Sequence, residues 1–207
     1  LIASIGIVKG QPFQPDGRMR RILGEAAAIG NAYARANTVF PREAAHRVFK
    51  DRHSEWVMAY ADKDTAFTSS GAYNLDARAL FHFGYICVSP AMAMTVAGKG
   101  SDYSMGMLDS DGNVLDGSKT YKLHIPPNPP AKDFWAITMY DTQTRSQLQT
   151  DQQFPTLGSQ DEGIKTNPDG SMDIYFSPKA PKGMEGNWLQ TIPGKSWFIA
   201  LRIYGPE

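Results

Sequence analysis

His124, Asp141, Arg78 and Arg145 are the residues whose chemistry could act on a small molecule. An imidazole at position 124 could serve as a general base, with the Asp141 carboxylate orienting it. Arg78 or Arg145 could grip an anionic substrate through a bidentate contact. Tyr103, Tyr121 and Tyr140 add hydroxyls to this set. Trp188, between Asn187 and Pro193–Gly194, reads either as an aromatic platform for a ligand or as a plug closing one end of the core. The candidates are therefore His124 and Asp141 as a catalytic pair, and Arg78, Tyr103, Tyr121, Arg145 and Trp188 as ligand-binding residues. The competing reading makes Asp141 and Arg145 a local turn ion pair and gives Arg78 a structural role.

Other chemistries lack their signatures. Gly98–Lys99 suggests a phosphate loop, but Ala93 stands where that loop needs its first Gly and Gly100 where it needs Ser or Thr. No serine sits in a G-x-S-x-G elbow. Asp109, Asp111, Asn113 and Asp116 alternate oxygen donors that could wrap Ca²⁺, yet no Glu closes the loop at its twelfth position, and Asp-Gly turns of this kind are ordinary hairpin chemistry. His46 and His53, with Glu43 and Asp51 nearby, lack the i, i+4 spacing of a zinc helix and read as a solvated face. His82 sits among Leu80, Phe81 and Phe83 and reads as a core or interface residue. Cys87 has no identifiable base and reads as an inert buried thiol. No metal and no cofactor are expected.

Composition narrows the class. Lys plus Arg and Asp plus Glu each total 21, so the net charge is zero and no basic excess is present to neutralise a phosphate backbone; nucleic acid is not an expected partner. Apolar stretches such as Tyr85–Val88 and Trp197–Leu201 fall far short of the roughly 20 residues that span a bilayer. With 42% hydrophobic and 20% charged residues, a chain of 207 residues builds one large domain, or one domain with an attached helical segment. The single cysteine forbids an internal disulfide and leaves the compartment open. The chain opens at Leu1 without a Met, a basic leader or a small-residue cleavage site, as a processed or truncated piece would.

The elements that must position these residues fall into two halves. Ile22, Ala26, Ile29, Tyr33 and Ala36 recur at helical spacing and predict a helix over 18–38, with Leu23, Ala27, Gly30 and Ala34 as a small-residue stripe and Pro41 as its stop. Ala45, Val48, Phe49, Arg52 and Trp56 suggest a second helix over 42–60. Asp76 could cap a third, with Leu80, Phe83 and Cys87 turned inward until Ser89–Pro90. After Tyr103 short β-prone runs alternate with Asp-Gly and Pro-rich turns, predicting strands over 103–108, 120–125, 134–140, 172–176 and 196–204, paired antiparallel. Alternation sends Tyr121 and Leu123 to one face and Lys122 and His124 to the other. The fold class is α+β.

Several runs resemble a family. Leu75–Ala79, Gly98–Ser101, Asp109–Gly112 with Leu115–Gly117, Tyr121–Pro127, Phe134–Trp135 through Tyr140–Asp141, Thr144–Ser146, Asp169–Ser171, Asn187–Gln190, Pro193–Lys195 and Arg202–Pro206 are similar to the bacterial proteins that carry the domain of unknown function 1214, DUF1214, usually behind a domain of unknown function 1254, DUF1254. The resemblance implies N-terminal helices followed by an antiparallel jelly-roll-like β-sandwich, in proteins often exported from the cytoplasm, and brings no family-wide chemistry. On that basis 1–75 is a helical lead and the tail of a preceding domain. Residues 76–207 form the DUF1214-like sandwich, cut short at its C-terminal end. Two function classes are expected: a periplasmic or secreted module that binds a small molecule or carbohydrate, or that contacts its missing N-terminal domain or a second copy; and a small-molecule hydrolase with His124, Asp141 and the arginines in a cleft between helices and sheet.

Overall fold

The computed structural model describes residues 2–42, 46–51, 54–69, 71–85 and 94–207. Along these run α1 (Gly17–Val39), β1 (Trp56–Val57), β2 (Thr68–Ser69), β3 (Ala72–Tyr73), α2 (Leu75–Gly84), β4 (Ser101–Gly106), β5 (Tyr121–Ile125), β6 (Ala131–Asp141), β7 (Thr156–Gly158), β8 (Met172–Ser177), β9 (Trp188–Gln190) and β10 (Trp197–Pro206). The class is α+β, helices first and most strands after. Cys87, His53, Glu43 and Ser89–Pro90 lie outside the described residues.

α1 begins where Asp16 accepts from the Met19 N–H at 2.6 Å and ends at Phe40, before Pro41, as its pattern predicts. Its apolar face does not pack along its length: Ile22 is 40% and Ile29 69% exposed, and within the helix only Asn37 and Thr38 are buried. The last turn is the anchor, with Asn37 Nδ2 donating to the Asp76 carbonyl on α2 at 2.8 Å. α2 is capped by Asn74, whose Oδ1 accepts from the Ala77 N–H at 3.0 Å, and not by Asp76. Ala77, Leu80 and Phe81 form its buried stripe and leave Phe83 half-buried at its side. Among the described residues no helix is long and apolar enough to cross a membrane.

The helix expected over 42–60 is absent from the described part of that segment. Here the chain folds back on itself: Val48 N donates to Trp56 O at 3.0 Å, Met58 N donates to His46 O at 2.7 Å, and Trp56–Val57 pairs with Met105–Gly106 of β4. Aromatic and β-branched residues beside an open strand edge find hydrogen-bond partners there that an isolated helix would have to supply alone. His46, expected on a solvated face, is buried with Nδ1 at 2.9 Å from Met58 O.

β1-β4-β10-β6-β7 form a five-stranded antiparallel sheet, and β5-β8-β9 a three-stranded one. The expected antiparallel order holds except at β8–β9, which is parallel, because the chain returns through the turn Glu185–Asn187 before β9 starts. The sheets share one core: Trp135, Ile137 and Met139 of β6 and Trp197 and Ile199 of β10 meet Ile125, Met172, Ile174, Phe176 and Leu189. Trp197 stacks on Phe176 at 5.0 Å and meets Tyr121 edge-on at 5.6 Å, joining the sheets through aromatic contact. The opposite face of the five-stranded sheet turns to the helices, where Val57, Met105, Met107 and Phe198 form a second cluster.

Two loop contacts fix how the sheets close. Asn187 is fully buried and satisfied: Oδ1 accepts from Lys165 N at 2.7 Å, and Nδ2 donates to Lys165 O at 2.8 Å and Asp173 O at 3.0 Å. Gly117 lies against the turn before β10, donating its N–H to Lys195 O at 2.9 Å while its carbonyl accepts from Thr191 Oγ1 at 2.8 Å. A Cβ on Gly117 would stand 2.0 Å from Ile192 O.

Ile174→Ala removes a fully buried side chain from the shared core and is expected to lower unfolding free energy by about 2–5 kcal/mol in chemical denaturation. Gly117→Ala meets a backbone oxygen that cannot give way. It is expected to cost at least ~1–3 kcal/mol in the same measurement, although it adds a single methyl group.

Candidate functional site

Strand alternation and a turn at the end of β6 build a cleft between helices and sheet. Met105, Met107 and Phe198 form its floor, and the ends of α1 (Val39, Phe40) and α2 (Phe83, Gly84) form its walls. The cavity is about 290 Å³, at the small end of ligand sites. Thr142, Gln143 and Ser196 give the rim its neutral polar groups, and Arg35 and Arg145 give it two cations. No carboxylate lines it among the described residues.

Both guanidiniums lie over one ring: Arg145 Cζ is 4.0 Å from the Phe83 centroid and Arg35 Cζ is 5.7 Å from it. Arg35 is held in place from its own helix by Asn31 Oδ1 at 3.2 Å, and across the cleft by the Gln143 carbonyl and Oε1, each at 3.1 Å. Arg145 occupies the left-handed backbone region at φ 62°, where a tight turn aims its side chain back over α2.

Asp141 makes that turn. Its Oδ1 accepts from Gln143 N at 2.7 Å and Thr144 N at 3.1 Å, and its carbonyl accepts from Arg145 N at 2.8 Å. Oδ2 takes the Lys195 ammonium at 2.7 Å, and the Asp141 side chain is only 8% exposed. Burial acts to raise this carboxyl, but the Lys195 bond and the two turn N–H groups outweigh it and hold the acid below its ordinary value of 3.8.

The expected pairing of His124 with Asp141 is not formed. His124 lies on the outward face of β5, 54% exposed, and its Nδ1 is 2.8 Å from Oδ1 of Asp173, its cross-strand neighbour on β8. Lys122 Nζ stands 3.5 Å from the same carboxylate. The ion pair imagined between Asp141 and Arg145 is likewise replaced, by Asp141 with Lys195. Tyr121 faces the core, where its hydroxyl accepts from Asp116 N at 2.9 Å at the edge of a separate cavity of about 480 Å³ between the sheets. Tyr103 lines a third cavity, of about 400 Å³, beside α2. Arg78 is exposed, 5.7 Å over Tyr73. Trp188 donates its indole N–H to Ser177 O at 3.0 Å, and the residue that fills the core end is its neighbour Leu189.

Of the seven candidates, Arg145 lines the cleft and Asp141 shapes its rim. Sequence reasoning missed Arg35 and Phe83; the only available signal was an arginine in the last turns of a helix that stops at Pro41. The Asp109–Asn113 run is a turn, with Asp109 Oδ1 accepting from Asp111 N at 3.0 Å and Asn113 N at 2.8 Å. No group of three or more His, Cys, Asp or Glu that could hold a metal occurs among the described residues. His82, read as a core or interface residue, is not in the core: it is exposed, with Nδ1 2.8 Å from Arg78 O.

Among solved structures, the chain is similar to a Vibrio parahaemolyticus protein at 20% identity and a TM-score of 0.48, over 99% of this chain and 45% of that one. It is also similar to an uncharacterised Burkholderia cenocepacia protein at 12% identity and a TM-score of 0.39, over 89% of this chain and 47% of that one. It thus spans less than half the length of either protein. No curated protein matches it. The model of a family described as a protein of unknown function, DUF1214, matches residues 100–207, which hold β4 to β10 together with Asp141 and Arg145, and the chain belongs to the DUF1214 family.

Proposed function

We propose that this chain is a small-molecule-binding module whose ligand carries an apolar body and an anionic head, seated in the cleft between α1, α2 and the five-stranded sheet. One observation carries the reading: two guanidiniums converge on the Phe83 ring over an apolar floor, with no carboxylate lining the cavity among the described residues. Like charges repel, and a carboxylate head between Arg35 and Arg145 would relieve that repulsion through charge-assisted hydrogen bonds. The Met and Phe floor would take the apolar part, since thioethers adapt to an irregular chain. In this reading Arg145 binds ligand and Asp141 is a positioning residue.

The wider reading follows the family resemblance. Residues 76–207 are a jelly-roll-like sandwich, supported by two facing sheets that share one core. Residues 1–75 are the tail of a preceding DUF1254 domain in an exported, periplasmic or secreted protein. The exposed Ile22 and Ile29 of α1 support a partner surface there, for that domain or for a second copy. A hydrolase is the alternative, and its support is the His124–Asp173 pair, which leaves Nε2 without a protein partner among the described residues. Turnover that survives His124→Ala would remove it.

Octanoate and its neutral counterpart octanol separate head from tail. Octanoate is expected to bind more tightly, and Arg35→Met/Arg145→Met to weaken octanoate at least ~10-fold, about 1.4 kcal/mol, while leaving octanol unchanged. Equal octanoate affinity in wild type and double variant overturns the reading. Asp141→Ala frees the turn and is expected to weaken octanoate ~10-fold, with Asp141→Asn, which keeps the Oδ1 acceptor, restoring most of it.

The Asp141 carboxyl is held below 3.8 in the fold, so its contribution is full above that value and disappears as pH falls through the lower folded value. The unfolding-temperature gap between wild type and Asp141→Asn should stay constant from pH 8 to about 5 and close below about 4.

A further inference from the structure

On the helix-facing side of the five-stranded sheet, two cross-strand aromatic pairs stand apart. Phe134 stacks on Tyr204 at 4.1 Å, and Tyr140 on Phe198 at 5.1 Å. Between them the register places Ala136 opposite Arg202 and Thr138 opposite Ala200, so the sheet carries small side chains there and forms a trough. Arg202 lies along it: its Nη2 donates to the Tyr140 hydroxyl, and its Cζ is 5.5 Å over the ring of Tyr103, its neighbour on β4.

Arg202 also bonds the Tyr204 side chain, yet hydrogen-bond accounting leaves donors in this trough that no protein acceptor takes among the described residues. Arginine offers only N–H groups, and the buried Nε of Arg202 has no partner among the described residues. Tyr140 spends a lone pair on Arg202, so its own O–H still needs an acceptor. Tyr85, at the end of α2, packs with Tyr140 against the Met105–Phe198 cluster, and its buried hydroxyl likewise has no partner among the described residues. Burial and the neighbouring Tyr140 push the Tyr85 hydroxyl far up, which keeps it a donor at any ordinary pH. Among the described residues no carboxylate bonds Arg202; Asp102, near the Tyr103 end, is taken by Lys63 at 3.6 Å and Thr95 at 2.8 Å. A buried N–H of a cation left without a partner, beside hydroxyls that each still have a proton to give, is costly, and a small anion with several acceptor oxygens meets all of these needs at once.

We propose that the Arg202, Tyr140 and Tyr85 trough is a binding site for a small oxyanion, such as a phosphate or carboxylate group. It differs from the Arg35–Arg145 cleft in its residues and stands whether or not that cleft binds an amphiphile.

Inorganic phosphate at constant ionic strength is the probe, titrated into the 207-residue chain and followed by the near-ultraviolet difference spectrum of the tyrosines. Saturable binding is expected, with affinity at least ~10-fold lower in Arg202→Met. Tyr85→Phe and Tyr140→Phe remove one oxygen each and preserve ring packing, and each is expected to weaken phosphate ~3- to 10-fold. They decide the matter if Arg202→Met does not fold. Arg18→Met, at the exposed start of α1, should bind phosphate like wild type. The proposal is overturned by non-saturable binding, by unchanged affinity in Tyr85→Phe and Tyr140→Phe, or by phosphate affinity that falls in Arg145→Met and persists in Arg202→Met. The last result would move the anion to the cleft and leave that reading standing.

Discussion

Alternation along β10 is the constraint on which both faces of the molecule depend. This strand lies between β4 and β6, so its backbone pairs on both sides. Trp197, Ile199 and Leu201 enter the core shared by the sheets, while Phe198, Ala200 and Arg202 face the helices. A one-residue slip would send Arg202 into the core and Trp197 out of it. Burial of Trp197 against Phe176 and Tyr121 therefore fixes the register, and the same register sets the floor of the cleft and the direction of Arg202.

The polar machinery is attached where this rigid layer ends. β6 runs out at Asp141, and that carboxylate turns the chain back with two backbone N–H groups while Lys195, just before β10, neutralises it. The turn thus belongs to both central strands. From the other side α1 and α2 meet through Asn37 and the Asp76 carbonyl, which brings Arg35 and Phe83 to the same opening. A cation from a turn and a cation from a helix reach one ring because a buried sheet holds their bases in place.

What the sequence disclosed follows the physics of each element. The long strands were legible because Tyr121–Ile125 and Trp197–Tyr204 carry enough alternating or apolar residues to state their own period, and α1 because its apolar residues recur at helical spacing until Pro41 stops it. β1, β7 and β9 were not legible, since two or three residues hold no period and pair because a neighbouring edge is open. The segment 42–60 misled because apolar residues three and four apart satisfy a helix on paper, whereas Trp56 and Val57 complete β4. Alternation put His124 on the face opposite Tyr121 and Leu123, as it is, although not in a cleft. Its partner was not, because naming Asp173 requires knowing that β5 pairs with β8 at that register. Arg202 had a visible signal: it is the one charge in an otherwise apolar and aromatic run from Trp197 to Tyr204.

The sheet between core and cleft is one residue thick, which separates two kinds of inheritance. Phe134, Ala136, Thr138 and Tyr140 on β6, and Phe198, Ala200 and Arg202 on β10, lie on the face away from Trp135, Ile137, Met139, Trp197 and Ile199. Substitution at alternate positions can then diversify the surface on the helix side without redesigning the packing that keeps the sheets together. A lineage built on this scaffold has independent room to change what it recognises while its interior stays the same.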